Sequence, residues 1–194
     1  LKETVKSIVK AIAYTKRKVN LRYPCLTKKI CETPYFITTE ELRAMYPDKT
    51  GKERERLITE KYKTVFIMKI GDVLSDGEKH DGRAPDYDDW ALNGDLLFWN
   101  EVLEDSLEIS SMGIRVDDVS LISQLEKYNA MDRLQFDYHK MIKDNVLPLT
   151  IGGGIGQSRL CMLLLEKAHI GEVQVSVWPE KMALECDEKG VQLL

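Results

Sequence analysis

The chain has 194 residues, 43% hydrophobic and 31% charged, with a net charge of −4, which fits one folded domain and excludes a disordered or collagen-like chain. No apolar run approaches the roughly 20 residues that cross a bilayer, and basic residues throughout the first 20 positions exclude a signal peptide. The sequence therefore predicts a cytoplasmic protein with no membrane segment, whose four widely spaced cysteines are free thiols.

The first part of the chain is predicted to open on an amphipathic helix. Its apolar residues recur at helical spacing, at Leu1, Val5, Ile8, Val9 and Ile12. A short strand is expected over residues 35–37. Thr38 and Glu41 then form a capping-box pattern for a second helix, which Pro47 ends.

The middle of the chain is predicted to combine one helix, three strands and a long loop system. A charged helix over 51–63 precedes a buried strand over 64–70. Residues 71–93 are rich in glycine, aspartate and proline, which predicts loops. Two further strands are predicted over 95–99 and 107–111.

The last part of the chain is predicted to contain three helices and two short strands. In chain order these are helices over 116–127 and 132–145, a strand over 148–151, a glycine turn over 152–156, a helix over 158–169 and a strand over 173–177. Strands and helices alternate without regular βαβ units. This favours an α+β fold, a mostly antiparallel sheet flanked by helices, over a doubly wound sheet.

The charges are divided unevenly along the chain. Residues 1–69 carry 17 basic and 8 acidic residues, and residues 72–118 carry 3 basic and 14 acidic residues. The lysines of the basic part are predicted on the polar faces of helices without an aromatic platform, which argues against nucleic-acid binding. The acidic part is predicted as strands and loops, where like charges are unfavourable without cations. A site for a divalent metal, an ammonium group or both is therefore expected there.

The run LTIGGGIGQSRL, residues 149–160, is the sharpest local signal. Four glycines in five positions let the backbone approach a ligand closely, and the amide groups of the following helix suit phosphate. The run matches neither a Walker A loop nor a dinucleotide-binding fingerprint. Arg159 is a candidate to contact a phosphate or a base, while a glycine turn that serves packing alone is the alternative.

The segment Glu108 to Arg115 is the second candidate. Strand alternation places Glu108 and Ser110 on one face, with Ser111 on the other unless the strand bends. A glutamate with a nearby serine hydroxyl can share Mg²⁺, and Arg115 can grip a phosphate oxygen. The carboxylates of residues 86–95 can converge on the same cleft, although a turn or cap role is equally open for each of them.

Three stretches carry a close resemblance to a known family. They are SDGEKHDGRAPDYDDW at 75–90, LNGDLLFWNEVLEDSLEISSMGIRVD at 92–117 and TIGGGIGQSRLCMLLLEKAHIGEVQVSVWP at 150–179. The chain resembles the ammonia-dependent aspartate–ammonia ligases, the A-type asparagine synthetases. That family is similar in turn to the catalytic core of class II aminoacyl-tRNA synthetases, and GGGIGQSR resembles the third signature motif of that class.

The resemblance implies a two-step reaction with ATP and Mg²⁺. The side-chain carboxylate of L-aspartate attacks the α-phosphate of ATP to give β-aspartyl-AMP and pyrophosphate, and ammonia then displaces AMP to give L-asparagine. No glutaminase is visible in the sequence, so free ammonia is the expected nitrogen donor.

The resemblance also implies roles for individual residues. The catalytic residues are expected to be Arg115, Arg159, Asp88 and Asp95. Of these, Asp88, Asp95 and Arg115 are expected to bind the substrate, and Glu108 and Ser111 to meet the metal. The residues expected to bind ATP are Glu108, Ser110, Ser111, Arg115, Gly152, Gly153, Gly154, Gly156 and Arg159.

Family members are longer than this chain, and the resemblance begins partway along them. We therefore expect residues 1–194 to form the C-terminal part of one class II synthetase-like catalytic domain, with the N-terminal half absent and a homodimer in the full-length protein. The alternative is a module that holds ATP or an adenylate without completing catalysis. An asparaginyl-tRNA synthetase would need an anticodon-binding domain, which this sequence does not predict.

Overall fold

A computed structural model describes residues 1–194 as a five-stranded sheet flanked by helices. The helices and strands are α1 (Lys2–Arg22), β1 (Tyr35–Thr38), α2 (Thr39–Met45), α3 (Gly51–Tyr62), β2 (Thr64–Met68), β3 (Asp88–Asn100), β4 (Asp105–Arg115), α4 (Asp118–Lys127), α5 (Asp137–Lys143), β5 (Ile151–Ile155), α6 (Gln157–Leu164) and α7 (Glu180–Glu188). Two short 3₁₀ helices cover Met131–Gln135 and Ile170–Glu172. None of the helices has the length and apolar character that a bilayer-spanning segment needs.

The strands lie in the sheet in chain order, from β1 to β5. β1 runs parallel to β2, and each of the other three neighbouring pairs is antiparallel. The predicted α+β class with a mostly antiparallel sheet is therefore confirmed.

Capping residues explain where α2 and α3 begin. The Thr38 side chain accepts a hydrogen bond from the Glu41 amide, and the Glu41 carboxylate accepts one from the Thr38 amide at 2.8 Å. Thr50 and Glu53 repeat the same reciprocal pattern at the start of α3. Each cap satisfies amide groups that have no partner within the helix, and such a cap is worth about 1 kcal/mol.

Helices cover the two faces of the sheet unequally. On one face α1 and α6 pack on β2, β3 and β4, in a core that includes Val5, Val9, Phe66, Leu96 and Phe98. On the other face α2 and α3 pack over β1, β2 and β3. On that second face α3 also adjoins the first residues of β4, and the cleft described below lies over the rest of β4 and over β5.

A bulge in β4 changes which side chains face the cleft. Leu96 pairs with Ser110, but the next residue of β3, Leu97, pairs with Glu108, so Ile109 is an extra residue in β4. Glu108 and Ser111 therefore share the face of Asp95, while Ser110 pairs across from a residue of the opposite core. The prediction from simple alternation, Glu108 with Ser110, was wrong, because alternation cannot register an inserted residue.

Other boundaries differ from the sequence-based predictions. β3 begins at Asp88, inside the predicted loop system. The expected glycine turn over 152–156 is mostly strand β5, paired with β4 through Gly152, Gly153 and Gly154. The expected strand over 173–177 does not form, and Val177 is 96% exposed, because β propensity without a partner strand and burial does not hold a strand.

Two helices and one lysine also depart from expectation. The helix predicted over 132–145 is divided at Phe136 into a 3₁₀ helix and α5. The helix predicted over 158–169 ends at Leu164, and Glu166 then takes a left-handed φ of 55°. Lys16, predicted on a polar helix face, is 2% exposed, since it follows Ile12 by one helical turn on the buried face.

Candidate active site

The part of β4 and β5 beyond α3 forms the floor of an open cleft of about 670 Å³. Its volume is in the range of pockets that hold small molecules. The cleft is lined by Arg83, Tyr87, Asp88, Glu108, Ile109, Ser110, Ser111, Gly153, Gly154, Gly156, Gln157, Ser158, Arg159, Ile170 and Gln174. Only three of these fifteen residues are hydrophobic, which suits a charged ligand better than an apolar one.

At one end of the cleft Arg115 is held between an aromatic ring and a carboxylate. Its guanidinium forms an ion pair with Asp88, and its Nη2 donates a hydrogen bond to the Tyr87 hydroxyl at 2.9 Å. The guanidinium carbon also lies 3.8 Å from the centre of the Tyr87 ring, a cation–π contact. Three different contacts thus fix a planar cation beside Tyr87 and Asp88, which line the cleft.

Two glycines make the room for this ion pair on the sheet. A Cβ on Gly152 would collide with the Arg115 guanidinium, and a Cβ on Gly113 would lie 2.8 Å from Cγ of Asp88. These two glycines face each other in the β4–β5 register. The glycine of β5 at this position therefore serves the placement of Arg115.

A second ion pair lies beside the first. Arg83 pairs with Asp95, and its Nη1 lies 3.4 Å from Asp81. Asp95 is 3% exposed, and its Oδ1 is buried without a hydrogen-bond partner. A buried carboxylate oxygen with no donor is unfavourable, so this atom has an unused capacity to accept a hydrogen bond.

Arg159 and Glu108 lie together further along β4. Nη1 of Arg159 donates to the Glu108 carbonyl oxygen at 3.1 Å and lies 3.7 Å from its carboxylate. Burial, and then the negative charge of Asp95, raise the pKa of Glu108 above its usual value. The carboxylates of the cleft are therefore crowded, and added positive charge would relieve that crowding.

The residues present fit a nucleotide with its metal ion. Ser111 and Gly154 pair across β4 and β5, and a Cβ on Gly154 would meet no atom within 4 Å, so the backbone here is open to a ligand. Glu108 and Ser111 share this face, and one carboxylate with a hydroxyl is the kind of set that binds Mg²⁺ when phosphates supply the other ligands. No group of three or more acidic, histidine or cysteine side chains could hold a metal by itself.

The neighbouring glycines of β5 should respond differently to substitution. A Cβ on Gly153 would lie 2.5 Å from Cβ of Met112, beneath the sheet, so we expect Gly153→Ala to lower the free energy of unfolding by about 1–3 kcal/mol. We expect Gly154→Ala, whose methyl enters the open cleft, to change it by less than about 0.5 kcal/mol. Urea unfolding of both variants tests this, and equal losses would contradict the assigned orientation of β5.

The structure brings most of the candidate residues to one cleft. Eight of them are among its lining residues, including Ser110 although it pairs with Leu96 of the opposite core: Asp88, Glu108, Ser110, Ser111, Gly153, Gly154, Gly156 and Arg159. Arg115, Asp95 and Gly152 contact lining residues or one another through the ion pairs and the close approach described above.

Some residues of the acidic segment have other partners, and some residues of the cleft were not predicted. Asp86 points away, to Arg133 and to His139 at 2.8 and 2.9 Å. Asp89 accepts a local hydrogen bond from the Ala91 amide, a turn role. Arg83 and Tyr87 line the cleft but were not predicted as site residues. They are the only arginine and the only tyrosine in the acidic loop over 71–93, and that feature could have indicated them.

Solved structures with a similar fold are class II aminoacyl-tRNA synthetases. Asparaginyl-tRNA synthetase of Entamoeba histolytica, in complex with asparaginyl-adenylate, matches with a TM-score of 0.57 at 17% identity over 87% of this chain and 41% of its own. Aspartyl-tRNA synthetase of the same organism matches with a TM-score of 0.59 at 17% identity, over 89% of this chain and 39% of its own. At such identity the likeness shows the fold, and it confirms the predicted fold class.

Sequence relatives show the family. The curated aspartate–ammonia ligases of Clostridium tetani and Pediococcus pentosaceus are 57% and 54% identical to this chain over 194 residues and over its full length. The chain spans 57% and 58% of the length of these two relatives. The profile of the family described as aspartate–ammonia ligase matches residues 1–190. This chain therefore belongs to the aspartate–ammonia ligase family.

Proposed function

We propose that this chain carries the adenylating part of an enzyme that converts L-aspartate and ammonia to L-asparagine with ATP, releasing AMP and pyrophosphate. The observation that carries this proposal is the arrangement of one cleft: Arg159 lines it with the carboxylate of Glu108 beside it, and Arg115, at the end of β4, pairs with Asp88, which also lines it. An adenylation site needs cations for the phosphates, a metal-binding carboxylate and a separate acceptor for the amino acid.

The nucleotide is proposed to lie over β5 and the start of α6. Arg159, at the start of α6, would contact the adenine or the phosphates, and Gly153, Gly154 and Gly156 would let the backbone approach it. Glu108 and Ser111 would hold Mg²⁺, with phosphate oxygens as its other ligands. When bound, this ion neutralises negative charge that the phosphates bring into the cleft.

Aspartate is proposed to lie at the other end, between the two ion pairs. Arg115 contacts Tyr87 and Asp88, which line the cleft, and would bind a carboxylate or the α-phosphate. Asp88 and Asp95 would accept hydrogen bonds from the α-ammonium group or from the incoming ammonium ion, and the unpartnered Oδ1 of Asp95 supports this role. Arg83 would have to shift from Asp95 for both oxygens to be used.

The proposed reaction has two displacements in the same site. A β-carboxylate oxygen of aspartate bonds to the α-phosphorus of ATP, and the bond from that phosphorus to the bridging oxygen breaks to release pyrophosphate. The lone pair of ammonia then bonds to the β-carbonyl carbon, the bond to the AMP oxygen breaks with its electron pair leaving on AMP, and the nitrogen loses one proton to solvent. The protein's part is to hold the reacting atoms in line and to offset charge with Arg115 and Arg159, which supplies much of the rate of such a reaction.

We propose further that residues 1–194 are the C-terminal part of one class II synthetase-like catalytic domain, and that the longer protein is a homodimer that does not bind nucleic acid. The length of the family relatives supports the first statement, since they extend well beyond the matched part. A cytoplasmic location is proposed as well. All four cysteines are free thiols, which suits a reducing compartment.

The test is aspartate-dependent exchange of labelled pyrophosphate into ATP without ammonia. It should be run on this chain and on the protein encoded by the complete reading frame that contains it. We expect exchange by the longer protein that needs aspartate and Mg²⁺, followed by asparagine and AMP in equal amounts once ammonium chloride is added. Exchange that does not depend on aspartate, or asparagine formation only with glutamine, would contradict the proposal.

The second candidate is a module that binds ATP or an adenylate without completing catalysis. Arg159 and the glycines beside it in the cleft support a nucleotide-binding module as much as they support a ligase, because nucleotide binding alone would use those residues. ATP binding by calorimetry without any exchange in the longer protein would select this second candidate.

A further inference from the structure

The end of the loop before β3 and the first residues of β3, which carry Tyr87 and Asp88 to the cleft, are held from behind by one buried side chain of α4. Gln124 is 5% exposed. Its Oε1 accepts a hydrogen bond from the Trp90 amide at 2.8 Å, and its Nε2 donates to the carbonyl oxygens of Pro85 at 2.9 Å and Asp88 at 3.1 Å. One side chain therefore fixes the backbone on both sides of Asp88.

Only a side-chain amide satisfies these three backbone groups. The two amide hydrogens of glutamine meet two carbonyl oxygens, and its oxygen meets one N–H group. A glutamate would keep the acceptor and lose the donors, and methionine would lose all three bonds at nearly the same volume. In either case backbone groups that are buried here would lack a partner, which weakens the hold on the loop.

The helix that carries Gln124 is itself firmly placed relative to Arg115. β4 ends at Arg115, and α4 begins three residues later with Asp117 as its N-cap, whose carboxylate accepts from the Ser120 amide at 2.7 Å. Leu121 and Leu125 of α4 are fully buried in the core with Val116. Gln124 and Arg115 thus belong to one continuous, rigid stretch of chain.

We infer that Gln124 is a positioning residue, which sets the place of Asp88 against Arg115 and thereby the binding of aspartate. Arg115 of β4 pairs with the Asp88 carboxylate, and Gln124 of α4 bonds to the Asp88 backbone carbonyl. The side chain and the backbone of Asp88 are therefore both held by the continuous stretch that joins β4 and α4. The inference rests on the proposed function, in which this ion pair contacts aspartate and the nucleotide lies elsewhere in the cleft.

A second anchor of the loop provides the rival explanation. Asp86 bonds to Arg133 and His139 on the outer side of the loop. If that anchor were sufficient, the amide of Gln124 would be only a means of satisfying buried groups, and its loss would lower stability without changing the cleft.

The test compares Gln124→Met with Leu125→Val, a substitution of the next residue of the same helix, whose buried side chain packs with Val116, Leu121, Ala130 and Ile142. Both are made in the protein from the complete reading frame. For Gln124→Met we expect the KM for aspartate in pyrophosphate exchange to rise about tenfold to a hundredfold, with the KM for ATP within twofold of the unchanged protein. Leu125→Val should leave both constants within twofold. Gln124→Glu keeps the bond from the Trp90 amide but sets a carboxylate oxygen against the carbonyl oxygens of Pro85 and Asp88, so it should raise the KM for aspartate at least as much, and it replaces Gln124→Met if that variant does not fold.

Amide hydrogen exchange gives a readout that does not depend on activity. Residues 85–90 should exchange faster in Gln124→Met, or in Gln124→Glu where it replaces that variant, than in Leu125→Val, while β4 stays equally protected in both. If the unchanged protein showed no aspartate-dependent exchange, the proposed function would fail and this comparison would still decide the role of Gln124. Unchanged protection of residues 85–90, or equal rises in both KM values, would overturn the inference.

Discussion

Replacing Arg115 by methionine is expected to lower the rate of aspartate-dependent pyrophosphate exchange by about a hundredfold to a thousandfold. The guanidinium is held by Asp88, by the Tyr87 hydroxyl and by the Tyr87 ring, so it is already placed before any substrate binds. A preplaced cation at a centre of developing negative charge is worth roughly 3–4 kcal/mol in the transition state. Arg115→Lys should recover only a small part of the rate, because an ammonium group neither forks toward two oxygens nor stacks on Tyr87 in the same way.

The matched controls separate lost chemistry from lost stability. Arg115→Met leaves Asp88 buried without its partner, which alone would destabilise the protein. Adding Asp88→Asn to Arg115→Met should restore much of the stability, measured by urea unfolding, and leave exchange as slow as before. Arg22→Met, at the exposed end of α1, should leave exchange unchanged. Recovery of exchange in the double variant would show that Arg115 acts only by neutralising Asp88.

Much of the fold could be predicted because local patterns and tertiary packing agree. The capping box at Thr38 and Glu41, the period of the apolar residues in α1 and the apolar run of β2 each depend on neighbours in sequence. The strand expected over 173–177 has comparable β propensity but no partner strand. Pairing partners lie far away in sequence, so nothing in the run itself shows whether one exists.

The sequence predicted which segments form the candidate site better than it predicted which side chains of those segments point into the cleft. The sequence placed Glu108, Ser111 and Arg159 in one site, and they do lie along one cleft. Which residue of the pair Ser110 and Ser111 faces that cleft depends on the bulge at Ile109, which only the pairing with β3 reveals. Gln124 was invisible to the sequence, because a glutamine in an amphipathic helix gives no sign that three backbone groups of a distant loop surround it.

Lys16, in the core, is another residue whose distant contacts the sequence pattern does not reveal. Its replacement is expected to lower the stability of the protein strongly. Its Nζ donates to the Glu166 carboxylate at 2.7 Å and to the Leu164 carbonyl oxygen at 2.9 Å, so it ties α1 to the last turn of α6. The same carboxylate oxygen accepts from the Lys28 amide at 2.7 Å. Burial alone would raise the pKa of Glu166, but the hydrogen bonds from Lys16 and from the Lys28 amide outweigh it and lower that pKa below its usual value.

We expect Lys16→Met to lower the free energy of unfolding by about 3 kcal/mol at pH 7, because it leaves a mostly buried carboxylate without its cation. Adding Glu166→Gln should recover most of that loss, since an amide needs no counter-charge and still accepts from Lys28.

A group whose pKa is lowered by folding stabilises the protein above its unfolded pKa of about 4.3, and that contribution disappears as the pH falls through the folded value. Without Lys16 the buried Glu166 carboxyl binds its proton more readily, so the difference between the unchanged protein and Lys16→Met should be largest at pH 7 and shrink as the pH falls to 4 and below. Urea unfolding at each pH measures it. A difference that stays constant down to pH 3 would mean that Lys16 acts through packing and the Leu164 carbonyl, and not through the charge of Glu166.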